Sequence, residues 1–192
     1  MHLNRKYETI VIGTSAGGLF ALTAILGKLP SGYPVPVIVV QHRSKNQKGL
    51  LEEVLQRKCE IRIKQADEKE QIKGGFVYIA PPDYHLLIES DKTFSLSSDE
   101  LVNFSRPSIN VLFETAATVF KETLIGIILT GSNNDGADGI VAVSLQGGLT
   151  IAQSPDEATF PFMPEASIKT NSVQYTWSLT EIGNFLLKIS DS

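Results

Sequence analysis

The sequence is poor in the residues that build covalent crosslinks and metal centres. Among its 192 residues there is one cysteine, Cys59, and there are three histidines. A single cysteine excludes an intrachain disulfide, and no partner with metal-ligand spacing lies near it. We therefore expect Cys59 to be a packing residue, and we expect the function to use neither a metal nor another cofactor.

Positive charge and long apolar runs are also missing. The formal net charge is −4, which argues against the basic stripe that binds nucleic-acid phosphates. No segment reaches the ~18 apolar residues of a membrane span, and the opening residues hold no apolar signal-peptide core. These absences predict a cytoplasmic protein that neither binds nucleic acid nor inserts into a membrane.

What the sequence does contain is enough apolar material for one folded unit. Hydrophobic residues make up 42% of the chain and charged residues 20%. A chain of this length buries about 70% of its extended surface in a single core. Without an internal repeat or a low-complexity linker, we predict one domain over residues 1–192.

Alternating strand and helix patterns predict an α/β fold with a doubly wound, mostly parallel sheet. The first strand passes through a glycine turn into a helix that ends near Pro30, and strand, helix and strand follow at 36–41, 50–57 and 61–63. Three short strands over residues 74–96 are predicted to form a small antiparallel, hairpin-like insertion.

The second half of the chain returns to the alternating pattern. A helix is expected from Arg106 to about Phe120, with Pro107 suited to its first position. Further strands and helices are expected at 123–130, 136–146 and 149–152, with a last strand near 173–177. Thr180 is the predicted N-cap of a C-terminal helix.

Three polar residues follow three of the apolar strands directly. Ser15, His42 and Asp135 each stand where a predicted strand ends, and the carboxyl ends of parallel strands form one rim of an open sheet. A hydroxyl, an imidazole that can accept a proton near neutral pH, and a carboxylate are the components of a serine hydrolase.

Each of these residues also has a structural alternative. Ser15 and Asp135 could be helix caps, and His42 could be a structural histidine. Asp138 competes with Asp135 as the acid but lies about a turn inside the next helix. The glycines around Ser15 could cradle a dinucleotide phosphate, but they do not form Gly-x-Gly-x-x-Gly, and the second strand ends without an acidic ribose ligand.

Five segments in order resemble the catalytic domain of the chemotaxis protein-glutamate methylesterases of the CheB type. They are residues 11–18 (VIGTSAGG), 40–42 (VQH), 78–81 (YIAP), 106–113 (RPSINVLF) and 129–136 (LTGSNNDG). The resemblance implies a doubly wound α/β hydrolase that cleaves glutamate methyl esters on the cytoplasmic helices of chemoreceptors or a related signalling protein, releases methanol, and in many members deamidates glutamine.

The resemblance also assigns roles by position. It makes Ser15 the nucleophile, His42 the base and Asp135 the orienting acid, with the backbone N–H groups of Ala16 and Ser132 as oxyanion donors. Chemotaxis members of this family usually carry an N-terminal receiver domain. Residues 1–8 leave no room for one, so we expect this chain to resemble the catalytic domain alone. The alternatives to this function are a non-catalytic α/β scaffold or ligand-binding module, and a serine esterase for small molecules.

A few further residues are candidates for substrate contact. Phe162 stands where the family commonly has glycine and precedes Met163, so both are placed at the mouth of the site. Arg106 is expected either to anchor a loop or to contact substrate. The basic residues Arg43, Lys45 and Lys48 follow His42 and form either a solvated loop or a surface that steers an acidic partner. His85 is expected to be a strand residue.

Overall fold

The computed structural model describes residues 6–43 and 50–189, which form a parallel sheet with helices on both faces. The strands of this sheet are β1 (Thr9–Thr14), β2 (Val37–Gln41), β3 (Arg62–Gln65), β4 (Phe76–Ile79), β7 (Leu124–Ile128), β8 (Leu149–Gln153) and β9 (Tyr175–Trp177). The helices are α1 (Gly18–Leu26), α2 (Leu50–Gln56), α3 (Ile109–Phe120), α4 (Ala137–Leu145), α5 (Phe162–Lys169) and α6 (Leu179–Ile189). A separate hairpin joins β5 (His85–Ile88) to β6 (Phe94–Ser97).

The strand order in the described part of the chain is β3-β4-β2-β1-β7-β8-β9, and every pairing within this sheet is parallel. The first half of the chain places β2, β4 and β3 on one side of β1, and the second half places β7, β8 and β9 on the other side. The direction of winding therefore reverses between β1 and β7. Open α/β sheets bind their ligands at the carboxyl ends of the strands beside such a reversal.

The predicted doubly wound, mostly parallel sheet with a small hairpin is confirmed, but one strand belongs elsewhere. The prediction grouped all three strands of residues 74–96 in the antiparallel insertion. The structure places β4 in the main sheet, parallel to β2 and β3, and leaves only β5 and β6 as the hairpin. The reason is burial: residues 77–80 are all buried, as an interior parallel strand requires.

Two predicted helix starts are wrong, and one helix was not predicted. Helix α3 begins at Ile109, so Pro107 lies before it rather than in its first turn. Helix α6 begins at Leu179, and Ser178 and Glu181 exchange hydrogen bonds there in the pattern of a capping box, so Thr180 is not the cap. Helix α5 was not predicted, because it contains Pro164 and proline has a low helix propensity.

The sheet divides the core into two layers, because successive residues of a strand face opposite sides. On β1, Ile10 and Ile12 pack with α1 and α6, whereas Val11 packs with α3, α4 and the hairpin. All of β1 is buried. Cys59 is buried in the first layer, as expected for a packing residue. None of the described helices is long and apolar enough to cross a membrane.

Helix α3 approaches the end of β1 unusually closely. A Cβ atom at Gly13 would overlap the side chain of Ile109, the first residue of α3. Glycine at this position therefore lets the amino end of α3 reach the edge of the sheet where the three polar residues gather. This contact fixes the position of α3 relative to the strand ends.

We expect Gly13→Ala to lower the free energy of unfolding by about 1 to 3 kcal/mol, because the added methyl group overpacks this contact. Chemical denaturation of wild type, Gly13→Ala, Ile109→Ala and the double variant measures the effect. The double variant should lose less than the sum of the single losses, since Ile109→Ala removes the overlapping atoms. Additive losses would show that the crowding lies elsewhere.

Candidate active site

The structure brings the predicted histidine and aspartate into direct contact beside Ser15. His42 follows β2 and Asp135 lies between β7 and α4, and the His42 Nε2 atom is 2.8 Å from Asp135 Oδ2. Backbone hydrogen bonds align the strand ends: Ser15 N–H donates to the Thr130 carbonyl and His42 N–H to the Thr14 carbonyl, each over 3.0 Å.

Asp135 is fully buried, with an exposed fraction of 0%. Besides His42, its carboxylate accepts hydrogen bonds from Ser108 Oγ at 2.9 Å, Ile109 N at 2.7 Å and Asn110 N at 3.2 Å. The two backbone donors open helix α3, where unpaired N–H groups and the helix dipole favour a negative charge.

These contacts keep the carboxyl group ionised. Burial by itself would raise the pKa of Asp135, but hydrogen bonds from the His42 ring and the Ile109 N–H outweigh burial. The pKa of Asp135 therefore lies below its ordinary value. An ionised Asp135 can hold the His42 ring by its Nε2–H and stabilise that ring when it takes up a second proton.

The pairing with Asp135 decides which ring nitrogen of His42 is available to accept a proton. Because Nε2 faces a carboxylate that only accepts, we assign the proton of the neutral ring to Nε2. Nδ1 then carries the lone pair. The side-chain amide of Asn133 lies 3.4 Å from Nδ1, at the outer limit of a hydrogen bond, and so leaves this nitrogen weakly engaged.

Ser15 is partly buried in the turn between β1 and α1. It lines a cavity of about 630 Å³ together with Leu19, Phe20 and Gln41, and Gln41 also borders the depression next to His42. Among the described residues, no hydrogen bond joins the Ser15 hydroxyl to the His42 ring. Catalytic hydrogen bonds are often long before substrate binds, so the arrangement is compatible with a nucleophile and its base.

The two backbone donors predicted for an oxyanion are the N–H groups of Ala16 and Ser132. Neither the Ala16 nor the Ser132 N–H donates a hydrogen bond to another of the described residues. Both follow carboxyl ends of adjacent strands, β1 and β7, and Ala16 lies just before the amino end of α1. Free N–H groups in such a place are available to bind an anionic oxygen.

The turn that carries Ser132 is held from the side of α5. Gly131 N–H donates to the Phe160 carbonyl at 2.9 Å, and Met163 N–H donates to the Gly131 carbonyl at 3.0 Å. The Met163 side chain is fully buried and packs against Gly131, whereas Phe162 is exposed. Substrate contact by Phe162 stays a prediction; the burial of Met163 favours a supporting role for that residue.

Arg106 is engaged with its own chain. Its guanidinium donates to Asp83 Oδ1 at 2.6 and 3.0 Å and to the carbonyls of Ser98 and Asp99 at 2.6 and 2.7 Å. These contacts favour the loop-anchor alternative, and substrate contact by Arg106 stays a prediction.

Of the three basic residues that follow His42, the structure describes Arg43. Arg43 makes a two-pronged, largely buried ion pair with Glu52 of α2, which neutralises its charge. Lys45 and Lys48 lie outside the described residues.

Two other polar residues considered from the sequence, His85 and Asp138, make no side-chain hydrogen bond to His42 or Ser15 among the described residues. His85 is buried in β5, where its ring meets the Glu100 carbonyl and the Ser108 N–H. Asp138 is exposed on α4 and lies 3.4 Å from the Asn110 side chain, not next to His42. The choice of Asp135 over Asp138 as the partner of His42 therefore agrees with the observed contacts.

Two residues that position this site were not predicted from the sequence. The Gln41 side-chain amide donates to the Ser15 carbonyl at 2.7 Å and to the His42 carbonyl at 3.1 Å, so it ties the ends of β1 and β2 together. Asn110 Oδ1 accepts from the Gly136 and Gly139 N–H groups at 2.8 and 2.9 Å and joins α3 to α4. Gln41 could have been recognised as a polar residue at the end of a buried strand, and Asn110 as an amide in the first turn of a helix.

The described residues contain no group of three or more histidine, cysteine, aspartate or glutamate side chains that could hold a metal ion.

The chemistry that this geometry supports is nucleophilic attack by the Ser15 hydroxyl on a carbonyl group. His42 can move the proton, and the free N–H groups can hold the resulting oxyanion.

The chain is similar in sequence to known proteins along nearly its whole length. The CheB methylesterase family model matches residues 10–186. A Leptospira interrogans protein named putative protein-glutamate methylesterase/protein-glutamine glutaminase is 50% identical over 97% of both chains. A Borreliella burgdorferi protein named probable protein-glutamate methylesterase is 36% identical over 96% of this chain, which spans 50% of that protein's length.

The fold is also that of a solved structure. The crystal structure of the Thermotoga maritima CheB methylesterase catalytic domain superposes with a TM-score of 0.91 and 32% sequence identity. The match covers 96% of this chain and 100% of that domain. The described sheet and helices are therefore those of a CheB catalytic domain.

The lowered pKa of Asp135 predicts a specific dependence of stability on pH. The unfolded chain protonates this carboxyl near pH ~4, and the folded chain protonates it only at lower pH. The contribution of the carboxylate to stability is therefore complete above pH ~4 and is lost as the pH falls through the folded pKa. Urea unfolding should show that the stability gap between wild type and Asp135→Asn narrows from pH 6 toward pH 3.

The matched control is Asp138→Asn, which changes an exposed carboxyl three residues away. It should differ from wild type by no more than about 0.5 kcal/mol at each pH. A gap for Asp135→Asn that stays constant from pH 6 to pH 3 would contradict the assigned stabilisation of the carboxylate.

Proposed function

The chain belongs to the CheB methylesterase family, and on that basis we propose that it hydrolyses glutamate γ-methyl esters on chemoreceptors and releases methanol. Its proposed substrate is a methylated helix in the cytoplasmic part of a receptor or a related signalling protein. The observation that carries the proposal is the Asp135–His42 pair at the same strand ends as Ser15, together with two N–H groups that donate to no other described residue. The names of the relatives support both ester hydrolysis and deamidation of glutamine.

In the proposed first step, the Ser15 Oγ attacks the ester carbonyl carbon while His42 Nδ1 accepts the hydroxyl proton. The carbonyl oxygen becomes an oxyanion and accepts hydrogen bonds from the N–H groups of Ala16 and Ser132. The intermediate collapses as the C–OCH3 bond breaks, and His42 returns the proton to the leaving oxygen. Methanol departs and the glutamyl group remains as an ester on Ser15.

In the second step, water replaces the alcohol. His42 Nδ1 removes a proton from the water, whose oxygen attacks the acyl carbon, and the same N–H groups hold the second oxyanion. When the bond to Ser15 Oγ breaks, His42 protonates that oxygen. The products are a glutamate side chain and free Ser15. With a glutamine side chain, ammonia takes the place of methanol in the first step.

Asp135 acts through His42 in both steps. It fixes Nε2–H, so that Nδ1 carries the lone pair, and it stabilises the doubly protonated ring that forms in each transition state. Its own position depends on the amino end of α3 and on Ser108. The base is therefore oriented by an element on the opposite face of the sheet from α1.

Asp135→Asn should lower kcat for methanol release from a methylated receptor fragment by roughly 10⁴-fold, because the amide no longer enforces the required ring tautomer. Asp138→Asn should change kcat by less than about threefold, since Asp138 lies outside the hydrogen bonds of His42. Circular dichroism should be measured for both variants to check that they are folded. Equal losses in the two folded variants would show that the acid is assigned wrongly.

Ser15→Ala should abolish methanol release and reaction with a serine-directed phosphonate, because every step requires the hydroxyl group. The melting temperature should change little, since the Ser15 hydroxyl makes no hydrogen bond to another described residue. Intact-mass measurement should find one adduct per wild-type chain and none on Ser15→Ala. Wild type that cleaves small esters but no receptor ester would indicate a small-molecule esterase, and wild type that cleaves neither would indicate a non-catalytic scaffold.

A further inference from the structure

An exposed apolar turn stands at the edge of the site, in the segment that leads into α3. Val102 and Ser105 pair as an antiparallel bridge, with Val102 N–H donating to the Ser105 carbonyl at 3.2 Å and the reverse bond at 2.9 Å. Asn103 and Phe104 form the tip of this turn. We call residues 101–105 the Phe104 turn.

The Phe104 turn holds a large side chain in a conformation that favours glycine. Asn103 has φ of +48° and Phe104 has φ of +60°. Two consecutive left-handed residues are typical of a tight hairpin turn whose second position is usually glycine. A phenylalanine there costs free energy, and the inference from such an outlier runs toward function.

The Phe104 ring gains no packing in return. It is 98% exposed, and Leu101 next to it is 56% exposed. Two unfavourable features, a strained backbone and an exposed apolar side chain, thus coincide in one turn. Exposed apolar surface of this kind is typical of a site that another molecule covers.

The base of the turn is braced. Arg106 follows it directly and donates to Asp83 and to the carbonyls of Ser98 and Asp99. Two residues further on, Ser108 donates to Asp135. A turn anchored on both sides presents its ring at a defined place relative to the base, at little further entropic cost on binding.

The turn is also continuous with the site. Leu101 and Phe104 line a cavity of about 540 Å³ that His42 and Arg106 also line. On the Ser15 side, the other cavity is bordered by the exposed side chains of Leu19 and Phe20. An ester group bound between Ser15 and His42 therefore has exposed apolar side chains near it on both sides.

We propose that the Phe104 turn contacts the protein that carries the methyl ester, and that this contact makes the enzyme favour protein esters over small esters. This inference rests on the proposed function. The occupant is an apolar stretch of the substrate helix flanking the methylated glutamate, because the turn lies beside the catalytic base and the ester must be attached to whatever covers both. An aromatic side chain on a rigid turn is a suitable anchor for such an interface.

The test compares two substrates and two variants. Phe104→Gly removes the ring and relieves the positive φ, so the variant should fold at least as stably as wild type. We expect its kcat/KM for methanol release from a methylated receptor fragment to fall about tenfold or more, mainly through a higher KM, because a buried aromatic anchor is lost. Its kcat/KM for p-nitrophenyl acetate should stay within twofold of the wild-type value.

The matched control is Leu145→Gly, which removes an 81% exposed apolar side chain at the far end of α4 from Asp135. Its kcat/KM should equal the wild-type value for both substrates. Phe104→Leu, which keeps an apolar side chain, should retain part of the receptor activity.

Several results would overturn the inference. Unchanged receptor kinetics in Phe104→Gly, with wild type active on the receptor, would refute the contact and leave the proposed function standing. An equal loss on both substrates would show that the ring supports the site itself. A wild-type dimer that Phe104→Gly dissociates, with unchanged receptor kinetics, would identify a second copy as the occupant. A wild type inactive on receptor esters would refute the proposed function and the inference together.

Discussion

The site depends on the contact between the Asp135 carboxylate and the amino end of α3. A buried, unpaired carboxylate is costly, and here four donors from two other parts of the chain compensate that cost: the His42 ring, and the Ser108 hydroxyl with the two backbone N–H groups that follow it. Because each donor serves the same two oxygen atoms, moving any one of these segments would leave a buried charge undersatisfied. The contact therefore holds β2, α3 and the segment before α4 in register with one another.

Close packing supplies the remaining constraint. Gly13 lets α3 lie against the end of β1, and at Gly18 a Cβ atom would overlap the Gln41 side chain. The Gln41 amide can reach the Ser15 and His42 carbonyls only because α1 begins without a side chain at that point. Ser15 and His42 are thus positioned through their backbones by neighbouring strand ends, while Asp135 holds the Nε2 side of the His42 ring.

The sequence predicts which residues gather at this site better than it predicts the hydrogen bonds between them. Ser15, His42 and Asp135 could be placed at one rim because each follows an apolar strand and parallel strands end on the same side. The role of each His42 nitrogen, the clamp made by Gln41 and the link made by Asn110 depend on rotamers and on distances between residues far apart in sequence. The same limit explains β4: its apolar run suits either a hairpin or a buried parallel strand, and only its long-range partners decide.

On the proposed function, different parts of this fold carry substrate selection and catalysis. The catalytic groups are held by hydrogen bonds among strand ends and helix starts, which leave little room for change without loss of the buried carboxylate's partners. The rims, by contrast, are formed by exposed residues of α1 and of the loop before α3, whose backbone is anchored by Arg106 rather than by the site. Since surface side chains on an anchored loop can change with small effects on stability, one catalytic centre can serve different protein partners. The specificity of this enzyme should therefore be sought in the residues around the mouth of the site and not in the Ser15, His42 and Asp135 set.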